Sequence, residues 1–481
     1  MPSTTKTICI DGQWRAGAQG QTIDVHAPSN GEKIAMLARG TQTDIDDAVG
    51  SARKAFDDVW SKTTAGERSR LLSALSARIT DCAAELAEIE AQDTGKPMRL
   101  AKNDIATTAR YFEFFAGAAD KLQGDTIALL NGYQAMVNRE PRGVVGHIIP
   151  WNYPAQMFGR TVAACLAAGN TTVFKPAEDA CLSVIRMTEL AHEVGIPAGV
   201  LNLVTGLGHE AGAALASHHD IDYMSFTGSP EVGTEIQKAA AAHHTPCALE
   251  LGGKSPQIVF EDADFDRALP VIVAAIIQNT GQTCSAGSRV LIQRSIYDRF
   301  VTALARRISA LKVGSHLADL DCGPLISAKQ LARVQGFIER AHADGVPCIA
   351  KGSLDPSADS RGHYVEPMLF GPVDTQHELA QHEVFGPILA AIVFDDEQHA
   401  IEIANDTPFG LIAGIWTENG GRQMRVAKQV RAGQVYINGY GAGGGVELPF
   451  GGVKRSGYGR SKGFEALREY TVGKTIVINH G

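Results

Sequence analysis

Residues 144–176 read VVGHIIPWNYPAQMFGRTVAACLAAGNTTVFKP. Two apolar runs, 144–149 and 172–174, fit buried strands, and the stretch between them fits a helix running to Ala168. Strand, helix and strand in so short a span predict a βαβ unit with parallel strands. The pattern continues downstream with a helix over 180–194, a strand over 200–204, a helix over 208–216 and a strand over 223–226. Strict alternation predicts an α/β fold, a parallel sheet covered on both faces that binds nucleotides at the carboxyl ends of its strands. A second alternating block, 256–435, reads as another α/β domain. Upstream, Ile45, Val49, Ala52 and Phe56, then Leu71, Leu72, Leu75 and Ile79, recur at helical spacing. They predict two amphipathic helices between Ile45 and about Thr94, joined near Ala65-Gly66. Residues 122–139 resemble a hairpin leaving the domain body. Residues 471–478 alternate as an edge strand, the kind that pairs with another subunit. The loop 352–362 is expected as a surface excursion.

The chain has 481 residues, enough for two or three domains with sizeable cores. Its formal charge is −9, with cations scattered rather than clustered, which excludes the electrostatic footprint of a nucleic-acid binder. The longest apolar run, 270–277, is far short of the ~20 residues that span a bilayer. Residues 1–14 are polar where a secretory leader is apolar, so a soluble, cytoplasmic protein with small-molecule or self partners is expected. Eight cysteines lie far apart without a C-x-x-C pair, so neither a disulfide framework nor a metal site is expected.

Four segments carry chemistry. Gly206-Leu207-Gly208-His209-Glu210-Ala211-Gly212 follows a strand and opens a helix, where amides meet a pyrophosphate; its G-x-G-x-x-x-G spacing equally suits an ordinary βα turn. Lys175 and Glu178 end a strand, within reach of ribose hydroxyls or as a solvated pair. Cys284 sits in the small-residue loop Gly281-Gln282-Thr283-Cys284-Ser285-Ala286-Gly287, which gives a substrate access to a thiol, whereas a cysteine taken at random is more often a buried hydrophobe. Glu250 precedes Leu251-Gly252-Gly253-Lys254, a turn able to present a carboxylate into a cleft, though most glutamates merely sit in water.

Together with Pro150-Trp151-Asn152-Tyr153-Pro154, Phe226-Thr227-Gly228-Ser229, Glu383-Val384-Phe385-Gly386-Pro387 and Pro449-Phe450-Gly451-Gly452, these segments follow the order and spacing of one family. Over nearly its whole length the chain resembles the aldehyde dehydrogenase superfamily, including the 34-residue interval from Glu250 to Cys284. The resemblance implies a Rossmann-like, doubly wound NAD-binding domain (1–121 and 142–252) and an α/β catalytic domain (253–455). It also implies a small β extension (122–141 and 456–481) that assembles a homodimer or homotetramer.

By the same resemblance Cys284 attacks the aldehyde, and the amide of Asn152 with the backbone N–H of Cys284 holds the alkoxide. Glu250 activates the water that hydrolyses the thioester; a branch that transfers the acyl group to coenzyme A lacks this glutamate, so free acid is the implied product. Ile149, Trp151, Lys175, Glu178, Gly208, Gly212, Phe226, Ser229 and Val232 match residues around the adenosine and pyrophosphate. Glu383 and Phe385 match those at the nicotinamide end. A carboxylate at Glu178 favours NAD over NADP, since it repels a 2′-phosphate.

Two positions depart from the pattern. Many relatives carry a lysine and a glutamate, thought to relay protons from the base, where this chain has Thr161 and Ser461. Their joint loss implies another water path or direct exchange with solvent. Arg160 stands where relatives acting on succinic semialdehyde hold the substrate carboxylate, but their second arginine is Gln278 here. Arg160 therefore reads as a substrate anchor beside Tyr153 and Met157, or as a structural ion pair. The run 441–445 matches the loop at the tunnel rim and implies a wide entrance. An NADP-linked semialdehyde dehydrogenase and a silent structural member of the fold remain the alternatives.

Overall fold

A computed structural model describes residues 7–441 and 445–481; Ala442, Gly443 and Gly444, the middle of the rim run, lie outside the described residues. The βαβ unit is present as strand Val144–Ile148, helix Pro154–Ala167 and strand Thr171–Lys175. Every residue of both strands is buried, which is why they read as unbroken apolar runs. Leu201–Leu203 on one side, and Tyr223–Thr227 and Cys247–Glu250 on the other, complete five parallel strands in spatial order third, second, first, fourth, fifth. The order reverses beside the first strand, which opens a crevice at the carboxyl ends.

Neighbouring residues of one strand serve opposite faces. Val144, Val173 and Met224 pack with Ile45, Val49 and Ala52 of helix Gln42–Asp58. Val145, Phe174 and Leu201 pack with Phe158, Val162 and Leu166 of helix Pro154–Ala167. The region expected to hold two helices up to Thr94 holds three, Gln42–Asp58, Ala65–Asp81 and Ala83–Thr94, and Met98–Ala118 follows. The added break falls at Cys82, where the backbone turns to φ −95°, ψ 13° without a glycine or proline to announce it. The helix expected over 208–216 opens with a π turn, Gly208–Gly212, and ends as Ala213–Ala216.

The second domain is a seven-stranded sheet, parallel except for the edge pair Cys348–Lys351 with Met368–Phe370. Within the expected 352–362 excursion, Ser353–Leu354 pairs with Lys312–Val313. The expected hairpin is a three-stranded antiparallel sheet of Asp125–Ile127, Tyr133–Pro141 and Thr471–Asn479. Residues 456–470, assigned by resemblance to that extension, instead return to the first domain. Gly457–Tyr458 adds an antiparallel edge beside Leu249-Glu250, and Ala466, Leu467 and Tyr470 are buried in the first domain's core. The apolar face of helix Gly463–Glu469 explains the return, since only that core covers it.

Gly457 has φ +102°, and a Cβ there would stand 1.9 Å from the Leu249 carbonyl oxygen. Gly457→Val should therefore separate the edge strand from Leu249-Glu250 and cost about 2 kcal/mol or more. Thermal unfolding checks this; an unchanged Tm contradicts it.

Candidate active site

The carboxyl ends of the first sheet gather most of the residues singled out in the sequence. Lys175 ends its strand, and its Nζ lies 2.9 Å from Glu178 Oε2. Glu178 Oε1 accepts the Gly208 N–H at 3.1 Å, so the glycine-rich turn and the Lys-Glu pair form one polar cluster. Burial alone would push Glu178 up, but Lys175 and the Gly208 amide hold it below the usual carboxylate range. Ile149 N–H donates to the Lys175 carbonyl, and Gly212 lies against Ile148 and Lys175. Ser229 caps helix Pro230–Ala241 by accepting the Val232 N–H, and Val232 remains 48% exposed despite being apolar. Phe226 differs from the rest. Its side chain belongs to the buried core, which leaves only its backbone to face the crevice.

The second domain supplies the opposite wall. Phe385 adopts φ +60°, a strained value for a bulky residue, and its ring meets Trp151 edge to face at 5.4 Å. Gln330 donates to the Phe385 carbonyl at 2.7 Å and Arg333 to the Glu383 carbonyl at 2.7 Å, which holds the bend in place. Glu383 Oε1 accepts the Gly253 N–H at 3.0 Å. Burial pushes its carboxyl up to about 7 despite that bond and nearby Lys254 and Arg333. A Cβ at Gly252 would lie 2.4 Å from Glu383 Oε2, and one at Gly253 would lie 2.4 Å from the Cys284 carbonyl oxygen. Bare backbone at these two positions lets the turn after Glu250 touch both partners.

The Cys284 loop is strained and heavily tied. Asn279 and Thr280 both take left-handed φ, +48° and +56°. Thr280 Oγ1 donates to the Gly323 carbonyl and accepts its N–H, while Gln282 Oε1 accepts the Ile326 N–H. Asn152 Nδ2 donates one hydrogen to the Gln282 carbonyl at 3.0 Å, and its amide carries a second. The Asn152 carbonyl in turn accepts from Asn279 Nδ2 at 2.9 Å and from Lys96 Nζ at 3.1 Å. Lys96, which the motif reading missed, is wholly buried between Glu90 (3.0 Å) and Asp104 (2.5 Å). Burial would lower this ammonium, but the two carboxylates raise it above the usual lysine range. The one sequence signal is that Glu90 and Asp104 fall on the apolar faces of their helices.

Glu250 ends the outermost parallel strand of the first sheet and is buried. Burial pushes its carboxyl up to about 7, against the pull of Arg160, Ser461, Arg460 and Lys462. Ser461 Oγ donates to Glu250 Oε1 at 3.0 Å, and Arg160 Nη2 lies 3.5 Å from the same oxygen. Burial also pushes the Cys284 thiol up to about 12, with Arg160 opposing. A cavity of about 160 Å³ over Cys284 is lined by Tyr153, Met157, Arg160, Gln278, Phe450 and Lys462, among others. The three residues expected at the substrate therefore do meet there. Arg160 lies against Phe450, 4.7 Å from the ring centre, and faces Glu250 as well as the cavity.

The sequence model of the aldehyde dehydrogenase family matches residues 14–476. Aldehyde dehydrogenase 1 of Tanacetum cinerariifolium is 41% identical over 98% of this chain and 94% of its own. A crystal structure from Burkholderia cenocepacia matches with a TM-score of 0.98 at 59% identity, covering 98% of this chain and 100% of that one. Betaine aldehyde dehydrogenase of Staphylococcus aureus, solved in complex with NAD+, gives 0.96 at 38% identity over 99% of this chain and 95% of that one.

Two predictions follow from this geometry. Lys96→Met leaves two buried carboxylates without their cation, and should destabilise the fold by about 3–5 kcal/mol; denaturant unfolding that matches wild type contradicts it. Ser461 donates to the ionised form of Glu250, so Ser461→Ala should raise the pKa of Glu250 above about 7. With Glu250 in the role of base that the family resemblance implies, which needs its ionised form, the rising limb of the kcat–pH profile moves to higher pH. The loss is roughly threefold near pH 6.5 and vanishes about two units higher. An unmoved midpoint rejects the assignment.

Proposed function

The chain belongs to the aldehyde dehydrogenase family, and on that premise we propose that it oxidises an aldehyde to the free carboxylic acid with NAD, through a thioester on Cys284. The observation that carries this reading is the placement of Cys284 at a cavity of about 160 Å³, in a loop bonded to the Asn152 amide, with the buried Glu250 carboxyl joined to the same cavity through Arg160. A thiol with a pKa near 12 needs a proton acceptor as it attacks, and Glu250 is ionised enough at neutral pH to serve. The Asn152 amide and the Cys284 N–H then face the oxygen that gains charge. NAD, when bound, accepts the hydride from the former aldehyde carbon. Once that first proton has passed to solvent, Glu250 takes a proton from the water that adds to the thioester carbon; it returns this proton to the sulfur as the carbon–sulfur bond breaks, and the acid leaves and ionises.

The residues present fit that cofactor. Glu178, ionised beside Lys175, offers acceptors to ribose hydroxyls and repels a 2′-phosphate, which favours NAD over NADP. Val232 offers an apolar face at the adenine end, and Glu383 with the Trp151–Phe385 wall bounds the nicotinamide end. Exposed Ile127, Leu130, Tyr133, Val477 and Ile478 on the three-stranded extension suit assembly with copies of the same chain, as a homodimer or homotetramer.

The substrate class follows from charge. Arg160 and Lys462 line the cavity, no carboxylate does among the described residues, and Arg160 Nε is buried without a hydrogen-bond acceptor while Nη2 has the 3.5 Å ion pair with Glu250. An aldehyde with a distal carboxylate supplies one, whereas a quaternary ammonium group would be repelled.

Cys284→Ala should abolish oxidation and leave NAD binding nearly intact; more than a few per cent of wild-type kcat overturns the role. Glu250→Gln should give a single, slowed burst of NADH and then very slow turnover, seen by stopped-flow absorbance, and steady turnover at the native rate moves the role elsewhere. Arg160→Leu should cut kcat/KM for carboxylated aldehydes about tenfold relative to neutral ones of equal length. The ratio cancels any shared effect through Glu250, and an unchanged ratio removes Arg160 from the substrate site.

A further inference from the structure

We propose that the proton collected by Glu250 leaves through a one-water cavity behind it, along a row of hydroxyls, to Glu469, which passes it to solvent. The inference rests on the oxidation proposed above. Aldehyde, NAD+ and water give carboxylate, NADH and two protons, so the base must unload in every turnover. While the thioester stands, its acyl chain occupies the cavity over Cys284, and the front is a poor exit.

Behind Glu250 lies a second cavity of about 20 Å³, lined by Glu250, Ser461, Thr227, Ser225, Tyr223 and Glu469, with Arg160, Thr161, Arg460 and Tyr470 also on its walls. That volume accommodates one water. Glu250 Oε2 is buried and has no hydrogen-bond partner, although Oε1 has Ser461. Residues 223, 225 and 227 alternate along one strand, so their hydroxyls share a face over about 13 Å. Thr227 pairs in register with Glu250, at one end of the row. At the other end Tyr223 Oη donates to Glu469 Oε2 at 3.2 Å. Arg142 fixes that end, with its Nε on the Glu469 carbonyl and its guanidinium 4.4 Å from the centre of the Tyr223 ring. Ser225 and Glu469 are partly exposed, so the row reaches solvent. Thr161 adds no link, because its hydroxyl donates to the Met157 carbonyl.

In the step itself the Glu250 O–H bond breaks as a cavity water takes the proton. That water passes another of its protons along the Thr227, Ser225 and Tyr223 hydroxyls, each giving up its own proton as it accepts one, and the Tyr223 hydroxyl delivers the last to the Glu469 carboxylate. Glu250 ends ionised and Glu469 protonated, and Glu469 then ionises into bulk water. The charged or titrating groups around Glu250 are Arg160, Arg460, Lys462 and Cys284, and none of them is a better acceptor at neutral pH.

Glu469→Gln tests the route. The NADH burst should be unchanged, while deacylation in dilute buffer slows about tenfold. Added imidazole should restore it to within about twofold of wild type, whose own rate is insensitive to buffer, and Glu469→Asp should keep most of the activity. Deacylation of Glu469→Gln within about twofold of wild type in dilute buffer overturns the proposal. So does a loss that neither imidazole nor Glu469→Asp repairs. Ser225→Val, which fills the cavity and keeps Glu469, should slow deacylation similarly; an unchanged rate overturns the route even if Glu469→Gln is insoluble. Should Glu250→Gln stall after its burst while Glu469→Gln does not, only the exit route fails. If Glu250→Gln runs at the native rate, the reading of the base itself fails.

Discussion

An ammonium group with no exposed surface, Lys96 Nζ, bonds Glu90, Asp104 and the main-chain carbonyl of Asn152. Three charges sealed from water are costly unless their geometry is good, and together they bind two helices to the turn that carries Asn152. That carbonyl also accepts from Asn279, and the Asn152 side chain donates to Gln282. Asn152, proposed to hold the developing oxyanion, is thus tied through its main-chain carbonyl to Lys96 and the Asn279 side chain, and through its amide to the Gln282 carbonyl. A donor fixed this way needs little rearrangement when charge appears on the substrate.

The Cys284 loop depends on that anchoring. Left-handed backbone at Asn279 and Thr280 costs of order 1–3 kcal/mol each, more readily tolerated by asparagine than by a β-branched threonine. Thr280 offsets its share through two hydrogen bonds with Gly323, and Gln282 bridges to Ile326. Phe385 repeats the arrangement across the crevice, with its unfavourable φ held by Gln330 and with Arg333 on the adjoining segment. Strained backbone flanks the Cys284 sulfur on one side and the proposed nicotinamide end of the crevice on the other, each over-determined by its surroundings.

Electrostatics then divides the labour. Burial raises both the Glu250 carboxyl and the Cys284 thiol, and Arg160 opposes both rises. The single guanidinium joins the cavity over Cys284 to Glu250, so an anion that engages Arg160 from the cavity also weakens its hold on Glu250. Ser461 supplies a neutral donor to Glu250, and both residues line the polar cavity leading toward Glu469.

Much of this was legible in local sequence. The βαβ unit at 144–176 shows in its apolar periodicity, because strand and helix periods are properties of adjacent residues. Cys284 and Glu250 are legible for a related reason, since each sits in a short run of small residues whose purpose is access. Other features had no local signature. The Cys82 break lacks a glycine or proline, and the return of 457–470 to the first sheet depends on which core covers Ala466 and Leu467. Lys96 resembles any lysine after a helix until Asn152, 56 residues later, is folded onto it. The bond from Ser461 to Glu250 spans 211 residues and that from Tyr223 to Glu469 spans 246. By itself the sequence determined the alternation of elements and the residue types at the chemistry. Tertiary structure alone decided which distant charges share a desolvated space, because that depends on strand order and domain closure rather than on any period along the chain.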